Sequence, residues 1–198
     1  MAGTPVAWRG TALAQNPTQL WGLLAIPGAG GRITLFTDGT PDATANPTAF
    51  HYGVTRDGAK HSIKPTFTKY YADEFRNPLI TSISQVDMTI AAELLAVTDM
   101  DVVKNLLSGL GTYSTAAGYK QVTVGTTAIT YQCLASIFPL IEDTTKWGVF
   151  NIYSTINEQG IEWAQTRKAM GGMPVQFSAY EVTTRAASDT AGNFWKQI

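Results

Sequence analysis

The sequence predicts a mainly β fold of the α+β type. The expected unit is a β-sandwich or barrel-like domain with one principal flanking α-helix and long strands that join neighbouring subunits. Three observations predict it. Residues 79–91 alternate in polarity with a period of two over an unusually long run. Residues 98–111 switch to helical spacing. From residue 120 onward the chain reads as short alternating runs broken by Gly, Pro and Asn, the pattern of an antiparallel β series.

Residues 1–50 carry only four formal charges, Arg9, Arg32, Asp38 and Asp42, but five of the nine prolines. The apolar run 19–26 is broken by Gly22 and stopped by Pro27, and 37–47 is a loop by composition. This reads as an N-terminal arm and loop, 1–49, attached to a single globular β domain, 50–198. A segment without its own core can order on a neighbour, at an entropic cost offset by the interface. Trp21 and Leu24, expected to be exposed, and Asp38 and Asp42 in the loop are therefore the candidates for contacts between subunits. An arm truncated by residues 1–30 is expected to leave folded subunits that cannot polymerise.

Residues 50–54 suggest a strand, Arg56-Asp57-Gly58 a tight turn, and 62–71 a second strand. Asn77-Pro78 then opens the stretch around which the rest is arranged. Ile80, Val86, Met88 and Ile90 fall on one parity, and Thr81, Gln85, Asp87 and Thr89 on the other, with Ile83 as the exception. One face is expected on a core and the other wet. At about 3.3 Å per residue the run spans roughly 40 Å. Thr98 reads as a helix N-cap with Asp101 in the first turn. Met100, Val103, Leu106, Leu107 and Leu110 follow on one helical face, and Gly109 and Gly111 offer stops.

Beyond the helix, 109–118 reads as a loop rich in small residues. Strands are expected at 120–124, at 128–138 with Cys133, Ala135 and Ile137 on the apolar parity, and at 147–156. Asn157-Glu158-Gln159-Gly160 reads as a hairpin loop, with 161–169 returning. A last strand, 174–182, points Val175, Phe177 and Ala179 inward, and 183–198 is a polar tail.

Of the 198 residues 44% are apolar, enough for a sizeable core. Only 15% are charged, against about 25% in average usage. That deficit suggests a surface covered by other protein, or one made of small polar residues. Net charge is −1, the basic residues are scattered, and the longest basic run is Arg167-Lys168. A phosphate-tracking patch is not expected. The single cysteine, Cys133, excludes a disulfide framework and is expected to be buried and inert. Residues 1–5 look like no secretory leader, and no run is long and apolar enough to span a bilayer.

No motif in the chain points to catalysis. His51 and His61 lack metal-ligand spacing. Glu158 and Glu162 bracket a hairpin but read as exposed carboxylates before they read as a glycosidase pair. No nucleophile elbow and no phosphate loop occur. Trp147, Tyr153 and Trp163 fit a sugar-binding platform, though at strand spacing core packing is the commoner use. The expectation is a protein without catalysis, cofactor or metal.

One set of motifs points further. Tyr52-Gly53-Val54-Thr55-Arg56-Asp57-Gly58, then Ala72-Asp73-Glu74-Phe75, then the long run into Ala91-Ala92-Glu93-Leu94, and finally Ser178-Ala179-Tyr180-Glu181-Val182 before a polar tail, occur in this order. Over residues 50–198 the chain thereby resembles the major tail tube proteins of long-tailed bacteriophages. The resemblance implies a structural virion protein made in the host cytoplasm, forming six-membered rings that stack into a hollow tube. It implies itself as main partner, with a tape-measure protein, a tail terminator and tail-tip proteins, and DNA passing through without specific binding. Thr81, Gln85, Asp87 and Thr89 are then the candidates for the lumen surface. Within 79–91 that parity bears no Lys or Arg to hold phosphate. Another β-rich virion component, at the tail end or on the head, or a monomeric carbohydrate-binding sandwich, is the alternative.

Overall fold

The computed structural model describes residues 18–24, 49–71, 77–78, 80–95, 100–108, 110–116, 118–125, 128–143, 146–162, 172–185 and 190–196. The fold is mainly β, with antiparallel sheets and, among the described residues, a single helix. The strands are β1 (Gln19–Leu24), β2 (Ala49–Tyr70) and β3 (Ile80–Leu95), followed by α1 (Met100–Leu106). Then come β4 (Gly111–Ala116), β5 (Tyr119–Val124), β6 (Gln132–Pro139), β7 (Trp147–Asn157), β8 (Gly172–Ala179) and β9 (Gly192–Lys196).

Six strands close on themselves in the order β6-β1-β2-β3-β8-β7 and back to β6. β9 shares an edge of β7 with β8: β8 pairs with 155–157 and β9 with 148–152. The interior is filled by Leu20, Tyr52, Ile90, Leu94, Leu134, Ile152 and Phe177 with their neighbours, and Val103 and Leu106 of α1 pack onto it. Trp21, Cys133, Ala135, Ile137, Trp147 and Val149 form a second buried cluster on alternate positions of β1, β6 and β7. β6 and β7 are thus buried on both faces, which is why their polarity alternates so weakly in sequence.

Three buried polar side chains fasten the elements together. Tyr52 donates its hydroxyl to Gln132 Oε1, and Gln132 Nε2 donates to the carbonyl of Asn105, linking β2, β6 and α1. Asn157 Nδ2 reaches the carbonyls of Leu106 (3.3 Å) and Gly160 (2.6 Å), while its Oδ1 accepts from the Gln176 amide. Its own amide donates to Ser108 Oγ. Ser108 ends the helix in the left-handed region, at φ 50°, a conformation more often given to glycine. Its amide donates to Asn105 and its carbonyl accepts from Thr130, so the strained turn is fully bonded.

Several expectations change. Residues 19–24, assigned to the arm, are a full member of the closed sheet between β2 and β6. The tight turn at 56–58 is instead a bulge inside one 22-residue strand. Thr55 before it and Ala59 after it pair with the same strand, β3, at Leu94 and Ala92, so the chain passes straight on, and Gly58 at φ +89° absorbs the extra residues. The loop at 109–118 contains β4, which pairs with β5 as a separate hairpin. The polar tail contains β9. Ile129 and Tyr131 lie outside β6 and are exposed. Thr98, Gly109 and most of the return run 161–169 lie outside the described residues.

Candidate assembly interface

The organising strand does what its length suggests, but only half of it belongs to the core. From Thr89 to Leu95, β3 is held between β2 and β8. From Ile80 to Met88 it pairs with β2 alone. On the other side, β1 covers β2 only from Ala49 to Val54. Residues 60–70 and 80–87 therefore form a two-stranded ribbon that leaves the closed sheet, with no strand on either outer edge among the described residues. A two-stranded ribbon is marginal in water by itself.

The register sorts the two faces. Lys60, Ser62, Lys64 and Thr66 lie opposite Ala91, Thr89, Asp87 and Gln85. This face is polar, and Gln85 Nε2 donates to Asp87 Oδ1 across two residues of one strand, as a shared face requires. The opposite face pairs Ile63 with Met88, Pro65 with Val86 and Phe67 with Ile83. It continues the barrel interior, through His61 and Ile90, out beyond the barrel. There Ile63, Phe67, Ile83 and Val86 are between 44% and 61% exposed. Burying such side chains is worth roughly 1.5–3 kcal/mol each, so leaving four of them in water is a strong pull toward a partner.

A bulge at Ser84 explains the irregularity of the sequence. Thr66 pairs with Gln85 but Phe67 with Ile83, so Ser84 is the additional residue, and its hydroxyl donates to the carbonyl of Thr66. The slip turns every side chain before it to the other face. Ile83 thereby joins Val86 on the apolar face. Thr81, opposite Lys69, lies on the apolar side too, not with Gln85, Asp87 and Thr89. The expected polar row is thus three residues long, and it is not free of lysine, because β2 contributes Lys60 and Lys64 to the same face.

At the root of the ribbon β8 bends from β3 toward β7, where the Tyr180 amide donates to the carbonyl of Ser154. Glu158 holds this corner, accepting from Ser178 Oγ at 2.6 Å and Tyr180 OH at 2.7 Å. The hydrogen bond to that carboxylate pushes the Tyr180 phenol up to about 12. The divergence leaves a groove of about 980 Å³ along the open edge of β3, walled by Lys60, Lys64, Asp87, Gln176, Ser178 and Tyr180. On the apolar side the barrel mouth opens as a cleft of about 810 Å³, with His61, Phe138 and Phe194 among its walls.

Most of the other singled-out residues that the structure describes are buried. Trp21, expected to be exposed, is buried against His51, with ring centroids 4.6 Å apart. Leu24 lies in β1, and Asp38 and Asp42 lie outside the described residues. His51 is pushed down to about 4 by burial, and its Nε2 has no hydrogen-bond partner. His61 stacks on Phe150, with Nε2 2.8 Å from Ser136 Oγ, and burial lowers it as well. Burial pushes the Cys133 thiol up to about 12, where it is inert. Trp147 and Tyr153 are buried, which removes them from a sugar platform; Trp163 lies outside the described residues. Among the described residues no three His, Cys, Asp or Glu gather as a metal site. No protein-family model and no curated protein matches the chain.

Proposed function

We propose that this protein is a structural, self-assembling subunit: copies close into a ring, and rings stack into a hollow tube of the kind formed by phage tail tube proteins. The observation that carries the reading is the ribbon, which leaves the barrel with one apolar face and, among the described residues, two open edges. Joined head to tail, such ribbons satisfy each other's backbone groups, and rotation closes the ring and removes the edges. The order of motifs along 52–182 supports the same reading. In this role the protein carries no catalytic residue and needs no cofactor. Its other partners are a tape-measure protein within the bore, a terminator and tip proteins at the ends, and DNA in transit.

Negative-stain electron microscopy of concentrated protein tests this. Long hollow tubes are expected. Discrete rings without stacking point to a tail-end or head component that uses the same ribbon, and monomers at every concentration remove the proposal.

A further inference from the structure

The polar face of the ribbon has an unequal distribution of charge. Its β2 side presents Lys60 and Lys64, and its β3 side presents Asp87. Between residues 80 and 95 β3 carries no basic residue, and its only charges are Asp87 and Glu93. Glu93 is engaged at the root by Arg56, at 2.7 Å. Each ribbon is thus basic along one open edge and acidic along the other.

We infer that Lys60 and Lys64 of one copy pair with Asp87 of the next, and that this alternation sets which edges join. The occupant of the groove beside β3 is the β2 edge of a second copy. The inference rests on the ring reading and names the residues that select its contacts. Strand directions agree with it. β2 and β3 are antiparallel within a copy, so in a closed ring of ribbons β3 meets the neighbour's β2 antiparallel as well. Pairing β2 with β2 sets lysines against lysines, and β3 with β3 sets Asp87 against Asp87. Only the heterologous pairing places opposite charges across the seam, and only that pairing closes a ring through one kind of seam. It also changes the expected character of the polar face: a belt with two lysines to each aspartate, and so net basic, in place of an acidic wall.

The test uses complementary variants of the full chain. In K60D/K64D both edges of the polar face are acidic, and in D87K both are basic. Each variant alone therefore meets like charge at every seam. Mixed, they alternate, and each seam again joins opposite charges even though the pairs within each copy remain like-charged. At low salt each variant alone should need an about tenfold or higher protein concentration to assemble than the unchanged chain. An equimolar mixture should assemble close to the unchanged concentration, into rings containing both variants in equal number. Monomer folding is checked by circular dichroism, and K60D/K64D/D87K serves as the tolerance control, expected to assemble alone. Assembly of the unchanged chain and of both single variants with no gain on mixing overturns the inference and leaves the ring reading standing. Failure of the unchanged chain to assemble sinks the ring reading itself.

Discussion

Single residues show how closely the fold depends on polar groups placed inside it. Asn157 satisfies a helix end, the loop after β7 and one strand, β8, at once, through Leu106, Gly160 and Gln176. Replacing it with Ala leaves several buried backbone groups unpaired, and unmet buried groups cost about 1–3 kcal/mol each. Asn157→Ala should destabilise the monomer by about 3 kcal/mol in a denaturant titration. His51 gives a pH signature. Burial lowers its folded-state value from 6.5 to about 4, so the neutral ring is favoured in the folded protein. Its contribution is complete above pH 6.5 and is lost as pH falls toward 4. His51→Phe should therefore lose less stability than the unchanged protein between those two values, as read from unfolding midpoints at each pH. Neither role is visible in sequence. Asn157 reads as a hairpin residue, and Trp21 reads as exposed because its strand is short and interrupted by Gly22. Its burial comes from β6 and from His51 on β2, residues far away in the chain.

At the level of elements, what was legible followed from periodicity. β3 and α1 carry period-two and helical patterns and both form, but β3 runs past the expected 91 to Leu95, and α1 ends at Leu106, short of Leu107 and Leu110. β4 and β9 were not legible, since Gly, Ser, Thr and Ala give no polarity contrast and β9 is an edge strand with half-exposed residues. The Arg56-Asp57-Gly58 signal was real but ambiguous, because a glycine in the left-handed region serves a bulge as well as a turn. The most informative anomaly was Ile83. Its break in alternation marks the bulge at Ser84, and with it the boundary of the polar face. Ile83 and Phe67 meet on the apolar side of the ribbon, where each is more than half exposed. Phe67→Ser combined with Ile83→Ser should change monomer stability by only about 0.5 kcal/mol. The same variant should fail to form tubes under conditions where the unchanged chain forms them, as seen by light scattering. Destabilisation of the monomer by several times that amount would mean that the apolar face is already packed within one copy.

For the whole molecule, the low charge content and the open ribbon have one explanation. In the proposed assembly, surface that would need charges in a monomer is covered, and among the described residues the ribbon has no strand on its outer edges. The barrel has its own buried core, and under the proposed function the ribbon is what neighbouring copies finish. β1 belongs to that core, so a truncation meant to test the N-terminal arm must end before Thr18, whose carbonyl accepts from Thr55. Removal of residues 1–30 would take β1 with it and should unfold the barrel, not merely block stacking. The most direct measurement is hydrogen exchange at the ribbon amides, residues 60–70 and 80–87, in the monomer and after assembly. Fast exchange in the monomer, beside slow exchange at Ile90–Leu94, followed by strong protection of the ribbon in tubes, is the result expected of a sheet completed by its neighbours. Ribbon amides equally protected in the monomer, or unprotected in the assembled protein, would contradict it.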